Sequence, residues 1–530
     1  MGHHPGPPGP RPVGHGRSGL TLAATTTAGG GGLSLSTAQG RWVLAATVLG
    51  SGIAFLDSTV VNVALPHIGE DLNTGVGGLQ WVLNGYLLAV SALILLGGSL
   101  GDRFGRKRVF QIGVIVFAVA SVLCAVAPNA PLLVAARVLQ GVGGALLTPG
   151  SLALLEASFR PDERGRAIGA WSGLSGVASA IGPFLGGWLV DAGSWRWIFI
   201  INVPLALFVV LVAARHVPES SDPEASHHID VLGALLIALA LGGLSWGLIA
   251  AGDDGWSAPI VWVPLAAGVA CMVLFVVVER RSPQPMVPPP IFASTQFRAA
   301  NTVTAAMYAA LGGVFFLLVV QLQNVLGYSA LEAGAATLPI TLMMLALSAR
   351  SGALAARIGP RLQMTVGPLL VAAGTLLLTR VDAGSTYVTT VLPAVVVLGL
   401  GLATVVAPLT ATALSAVADR YAGVASGVNT TVARAAQLAA VAALPVAAGI
   451  TGETYLDPGA FSVGFRTAML ITAGLAALGG LVAFLGIHNP ARVPEVEPAP
   501  APTGWFCGIE GTPLDTCPRA MVAAADAEAA

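Results

Sequence analysis

Fourteen long apolar runs leave this chain few folds to adopt. They lie near residues 42–64, 79–101, 109–128, 131–156, 166–190, 197–214, 231–251, 260–278, 300–323, 333–356, 364–380, 388–414, 422–449 and 465–487. Runs of roughly 17–25 residues are long enough to cross a bilayer as helices. Backbone groups in lipid must bond within their own segment, so the runs read as helices. Strands of a membrane barrel would alternate apolar and polar residues, and these runs do not. Charged residues make up only 10% of the chain, against about 25% in soluble proteins, so most of the surface does not meet water.

Basic residues set the expected orientation. With the N-terminus cytoplasmic, Arg11, Arg17, Arg41, Arg103, Arg106, Lys107, Arg108, Arg160, Arg164, Arg166, Arg215, Arg280, Arg281, Arg298, Arg350, Arg357, Arg361, Arg420, Arg492 and Arg519 all fall inside. That is 20 of the 25 Lys and Arg residues. Arg196, Arg380 and Arg466 fall outside, while Arg137 and Arg434 fall within the bilayer. An odd helix count would invert the second half and erase this asymmetry, so the even count and the orientation support each other. Both termini are expected in the cytoplasm of a multi-pass plasma-membrane protein.

A repeat divides the chain. Gly98-Ser-Leu-Gly-Asp102-Arg103-Phe-Gly105-Arg106-Lys107-Arg108 has a weaker copy at Gly352-Ala-Leu-Ala-Ala356-Arg357-Ile-Gly359-Pro-Arg361. Ungapped, Gly98, Leu100, Arg103, Gly105 and Lys107 match Gly352, Leu354, Arg357, Gly359 and Arg361, while Asp102 meets Ala356. The offset of 254 residues, 352 minus 98, spans eight helices rather than six. The expected fold is therefore an all-α membrane protein: two six-helix bundles in pseudo-twofold arrangement with two extra transmembrane helices between them. The expected division is a disordered tail at 1–40, a bundle at 41–215, a linker with the extra pair at 216–298, a second bundle at 299–488 and a tail at 489–530. Internal repeats of this kind build secondary transporters.

Several classes are excluded or disfavoured. No cleavable signal precedes the first run, which is expected to serve as its own targeting signal. A net charge of −1 makes no case for nucleic acid. There is no phosphate-cradling loop, nucleophile elbow or metal-ligand cluster, and residues 489–530 are too short for a nucleotide domain. No enzyme activity, cofactor or metal is expected. Cys124 and Cys271 read as small core residues, and Cys507 and Cys517 lie in the tail.

Four motifs in order resemble those of the major facilitator superfamily. The loop at 98–108 resembles its signature between helices 2 and 3. Arg137-Val-Leu-Gln140-Gly141-Val-Gly143-Gly144-Ala145 resembles its helix 4 signature. Gly182-Pro183-Phe-Leu-Gly186-Gly187 resembles its helix 5 antiporter motif, with Ala178 where the family has a leading glycine. Leu56-Asp57-Ser-Thr59-Val-Val-Asn62-Val-Ala64-Leu65-Pro66 resembles helix 1 of the fourteen-helix drug/proton antiporters, and Trp195-Arg196-Trp197-Ile-Phe199-Ile-Ile-Asn202-Val-Pro204 fits the same subfamily. The resemblance covers about residues 41–488.

Asp57 is the one acid expected deep within an apolar helix of the first half, and such residues are functional candidates by default. Its bland reading is a packing hydrogen bond through a permanently neutral acid. Arg137 stays charged and needs a partner or a water-filled cavity; capping carbonyls before Pro149 is its alternative. The resemblance places helix 4 beside helix 1 and makes the two neighbours. Burial favours the neutral acid and a guanidinium favours the carboxylate, so the pair is the expected proton-coupling site. The resemblance further implies a conformational latch at Gly98, Asp102, Arg103, Gly105 and Arg106, with Glu156 a plausible partner of Arg103 or Arg106. The alternative is that these basic residues serve topology alone. Gly165, Gly169 and Gly173 share one helix face and are expected to permit close packing. Asn62, Gln140, Arg434 and Gln437 are candidates for the substrate cavity, though Arg434 could snorkel to the cytoplasmic side.

The resulting expectation is a proton-coupled efflux transporter of amphipathic drugs or a natural product, with a small-molecule substrate, protons and the bilayer as partners. A proton-coupled importer of a small polar nutrient is the alternative within the class, and proton-dependent loss of a dye from loaded cells separates the two. A non-transporting receptor or accessory protein would show no flux in vesicles. The charge pattern makes one direct prediction. A membrane-impermeant thiol reagent should fail to label a cysteine placed within 216–230 in intact cells; strong labelling there contradicts the six-two-six topology.

Overall fold

The computed structural model describes residue 2 and residues 32–222, 230–282, 285–418, 421–455 and 457–489. Fourteen helices are long and apolar enough to span a membrane. They are α1 (Ala38–Asp71), α2 (Val76–Phe104), α3 (Arg106–Ala125), α4 (Ala130–Ser158), α5 (Pro161–Ala192), α6 (Trp197–His216), α7 (Val231–Asp253), α8 (Pro259–Arg281), α9 (Thr295–Val325), α10 (Ala330–Ile358), α11 (Arg361–Leu378), α12 (Tyr387–Ser415), α13 (Gly423–Ala447) and α14 (Pro458–Gly486). Among the described residues there is no strand, only a single bridge between Leu33 and Phe159. All fourteen apolar runs thus appear as helices, in an all-α membrane protein.

Side chains close the orphan amides at several helix starts, as caps do. Asn129 accepts from Leu132 N at 3.0 Å before α4, and Asp457 accepts from Gly459 N at 2.7 Å before α14. Ser329 and Glu332 form a reciprocal capping box before α10. Residues 33–40, read from sequence as tail, are folded. Leu33 bonds Ser158 and Arg160 backbone, and Glu163 accepts from Leu35 N and the Ser34 hydroxyl. This strap pins the start of α1 to the α4–α5 turn. Of the expected tail at 489–530, residues 490–530, with Cys507 and Cys517, lie outside the described residues.

The two halves repeat one packing scheme. In the first, α1 packs on α4, α5 and α6, α2 on α4, and α3 on α4 and α6. In the second, α9 packs on α12, α13 and α14, α10 on α12, and α11 on α12 and α14. The seams between halves repeat as well: α2 meets α13, and α5 meets α10. Helix α7 packs on α8 and touches both α2 and α13. Helix α8 leaves Trp262, Val263 and Val273 more than half exposed, an apolar face suited to lipid.

Glycines set the closest crossings, because association within lipid relies on close backbone approach. A Cβ on Gly113 of α3 would lie 3.0 Å from Gly143 O of α4, and one on Gly367 of α11 would lie 3.0 Å from Gly401 O of α12. The same crossing is thus built twice. The expected ladder at Gly165, Gly169 and Gly173 is different: a Cβ at each would meet nothing within 4 Å. That face of α5 borders open space in this conformation, so close packing there is corrected. Close approach on α5 falls instead at Gly186 against Val60 and at Gly187 against the Ala330–Leu331 backbone.

Gly143→Leu should therefore destabilise the protein by about 1–3 kcal/mol or more, as overpacking does, whereas Gly169→Leu should leave thermal unfolding in detergent unchanged. Equal melting temperatures for the two variants would contradict this packing.

Candidate functional site

Asp57 lies on α1 and is 1% exposed. Its Oδ2 accepts from Arg137 Nη1 of α4 at 2.5 Å. Its Oδ1 accepts from Gln140 Nε2 at 2.8 Å and from Asn202 Nδ2 of α6 at 3.1 Å. Arg137 is equally buried; it donates Nε to Val82 O of α2 at 3.1 Å and Nη1 to Gln140 Oε1 at 2.6 Å. Ser121 of α3 accepts from Gln140 at 2.9 Å. The guanidinium also stacks over the Tyr86 ring, 4.6 Å from its centroid. One carboxylate thereby gathers donors from α4 and α6, and its arginine binds α2. A buried charge is tolerable only when paired and hydrogen-bonded in this way.

Arg137 forms part of the wall of a cavity, with Asp57 behind it. A small space is lined by Ser58, Asn62, Leu83, Tyr86, Leu87, Arg137, Gly312, Gln437 and Val441. Asn62 and Gln437, two of the four cavity candidates, therefore line it. Gln140 does not: it is fully buried behind the wall and bonded to Asp57, because helix α4 turns Arg137 to the cavity and Gln140 toward α1 and α3. Arg434 sits one turn of α13 from Gln437, in electrostatic range of Tyr86 and Tyr308. It lies eleven residues past Gly423, about 17 Å along the helix.

The halves are tied at one end. Gln80 of α2 donates to Val441 O at 2.6 Å and to Ala442 O at 3.1 Å of α13. Asp191 at the end of α5 accepts from Ala330 N and Leu331 N at the start of α10, and Gln323 donates to Val63 O. At the same end, Trp195 and Arg196 both donate to Asp71, which ties the α5–α6 turn to α1. These bonds close the end opposite the basic loop, while the unoccupied glycine face of α5 opens toward the basic end.

The basic loop has its own geometry. Gly105 and Gly359 both adopt positive φ, +107° and +88°, a conformation that suits glycine. Lys107 donates to Ala214 O in the last turn of α6 at 3.0 Å, and its repeat partner Arg361 donates to Phe484 O in the last turn of α14. Cations there also complement the helix dipoles. Arg106 pairs with Asp102 at 2.8 Å. The partner of Arg106 is Asp102, one turn away, rather than Glu156. Gly98 faces Pro149 across the α2–α4 contact. Of the antiporter motif, Gly182 faces Thr59 and Leu56, while Pro183 offers its carbonyl to the close approach of Gly334.

Two contributions escaped sequence reasoning. Asn202 stood in a recognised motif, yet nothing local tied it to Asp57. Glu219, just past α6, accepts from Lys107 N at 3.0 Å, while Ser220 O accepts from Arg106 N and Asp222 N bonds Asp102 O. The chain after α6 therefore straps the α2–α3 loop, a contact with no sequence signal beyond a lone acid in a polar stretch. No group of His, Cys, Asp and Glu among the described residues could hold a metal.

The charge pair has a measurable signature. Asp57→Asn and Arg137→Met should each destabilise by about 3–5 kcal/mol, since each strands a buried partner. The double variant should cost less than the sum in a double-mutant cycle of thermal or denaturant unfolding. Additive losses would contradict a direct pair.

Comparison with known proteins agrees with this architecture. The sequence model of the Major Facilitator Superfamily matches residues 47–441. The chain is 35% identical over 464 residues to the puromycin resistance protein pur8 of Streptomyces alboniger, covering 84% of this chain and 91% of that one. It is 38% identical over 387 residues to the tetracenomycin C resistance and export protein of Streptomyces glaucescens, covering 73% and 72%. Its fold is similar to the crystal structure of a bacterial homolog of the human lysosomal transporter Spinster, with a TM-score of 0.61 at 17% identity over 86% of this chain and 100% of that one. With a repeated six-helix scheme, fourteen spans and a match across most of its length, the chain belongs to the major facilitator superfamily of membrane transporters.

Proposed function

We propose that this transporter is a proton-coupled exporter of amphipathic drugs or a natural product. The observation that carries the reading is the buried Asp57–Arg137 pair, whose arginine lines the cavity between the halves. Export is supported by relatives named for resistance and export. The basic loop end is taken as cytoplasmic because basic residues concentrate there, and the structure is then the inward-open form. Residues 41–215 and 299–488 are the two rocking bodies, with 216–298 the inserted linker.

Antiport requires a group that holds a proton in one conformation and loses it in another. In this conformation Asp57 accepts three hydrogen bonds, one of them from the Arg137 guanidinium. Arg137 stands between that carboxylate and the cavity. A shift of α4 against α1 that loosens the pair leaves a buried acid with less compensation, and the acid then takes up a proton. The outward-open form is the state in which this uptake occurs from outside. The bonds at Gln80, Gln323 and Asp191 must break to reach it. The basic loop and its Glu219 strap act at the cytoplasmic end as the latch, with Asp102 holding Arg106.

Everted membrane vesicles with an imposed pH gradient test the reading, using puromycin and tetracenomycin C as first probes. Addition of a transported compound should dissipate the gradient in wild type. Asp57→Asn should bind the compound yet lose both gradient dissipation and uphill transport, and Asp57→Glu should keep partial activity. Uphill export with proton counterflow in the Asn variant would overturn Asp57 as the coupling site.

A further inference from the structure

We propose that Arg434 makes this cavity select substrates that carry an anionic group, a carboxylate or an ionised phenol, on an apolar body. The inference deepens the export reading and rests on its assumption that the cavity holds the substrate. Its first ground is charge bookkeeping around the cavity. Asp57 is neutralised by Arg137 and further saturated by Gln140 and Asn202. Every other described acid in the spans lies near a helix end, as do Glu70, Asp102, Glu156, Asp191, Glu279 and Glu332. Arg434 therefore adds a positive charge at mid-membrane depth with no acid opposite it.

The second ground is the lack of other employment for this guanidinium. Among the described residues Arg434 makes no hydrogen bond or ion pair. An arginine stays protonated, so at this depth it needs a partner or a wet cavity. Its position supplies the cavity: Gln437, three residues on and on the same face, lines the space, and Tyr86 and Tyr308 lie within its field. Tyr86 belongs to the first half, on α2, and Tyr308 to the second, on α9. Arg434 thus addresses the seam between the halves, one turn nearer the basic end than Gln437. A substrate entering from that end passes Arg434 before it reaches Arg137.

The third ground is the lining itself. Leu83, Leu87, Val441 and the Tyr86 ring offer an apolar wall, while Ser58, Asn62 and Gln437 offer neutral polar groups. The lining carries no acid to offset Arg434, whose charge repels a cation, and the Tyr86 ring face is already occupied by Arg137. An aromatic or otherwise apolar body bearing one anionic group satisfies both the wall and the guanidinium. Such a charge-assisted contact is stronger than a neutral hydrogen bond.

The test compares two dyes of one scaffold, fluorescein as the anion and rhodamine 123 as the cation. Binding to the purified full-length transporter is followed by fluorescence anisotropy without any gradient. Wild type should bind fluorescein about tenfold or more tightly than rhodamine 123, the scale of one charge-assisted bond. Arg434→Gln should abolish that preference by weakening fluorescein, and Arg434→Lys should largely keep it. Wild type that binds rhodamine 123 as tightly as fluorescein, or a Gln variant with the preference intact, overturns the proposal. If Arg434→Gln does not fold, the wild-type ratio decides. Because no gradient is applied, loss of proton coupling leaves this result standing. Conversely, a cation preference would sink the charge assignment and leave proton-driven export untouched.

Discussion

The Asp57 carboxyl group and the Arg137 guanidinium share a buried site, and the first half is arranged around keeping both satisfied. Asp57 receives donors from α4 and α6, Arg137 reaches a carbonyl of α2, and Ser121 of α3 closes the network. Five of the six helices thus meet through one polar knot. Burial of either charge alone would cost several kcal/mol, so the knot holds these helices in one register. It also leaves a conditional stability. Adding one proton to Asp57 removes the partner of Arg137 and weakens the reason for α1 and α4 to stay as they are.

The second half repeats the scaffold without the chemistry. Gly105 and Gly359 make the same turn, Lys107 and Arg361 reach the same last-turn carbonyls, and Gly113–Gly143 and Gly367–Gly401 make the same crossing. The second half has no buried ion pair among the described residues; its polar contacts include a neutral cluster in which Asn429 of α13 donates to Asn301 and Thr304 of α9. Symmetric packing gives two bundles with one shared packing scheme, the construction that the proposed alternating access needs. Among the described residues, the buried ion pair belongs to one of them only. The inserted helix α7 touches both α2 and α13, so it lies across one of the two seams that the motion must work against.

Hydropathy made the helix count legible because lipid leaves a spanning segment no other option. Helix ends were less legible: α1 begins at Ala38 and is preceded by a folded strap, where composition suggested tail. Asp57 and Arg137 stood out as intramembrane charges, but their adjacency came from family resemblance. Rotation of α4 decides that Arg137 faces the cavity and Gln140 does not, and rotation is fixed by neighbours far away in sequence. The same cause hid Asn202 and Glu219 and made Glu156 a plausible partner when Asp102 was nearer. The glycines at 165, 169 and 173 announced a small-residue face, yet such a face serves a crevice as readily as a packed seam.

The central claim is that Asp57 is a carboxylate when paired with Arg137 and an acid in the opposite conformation. Infrared difference spectroscopy of the purified transporter, with ¹³C-labelled aspartate, reads this directly as the protein is switched between conformations by substrate and by acidification. The account predicts a protonated-carboxyl band that rises on acidification, falls when substrate stabilises the inward-open form, and is missing from the Asp57→Asn variant. A transporter that still couples export to protons while showing no such band, or showing the same band in the Asn variant, would contradict it.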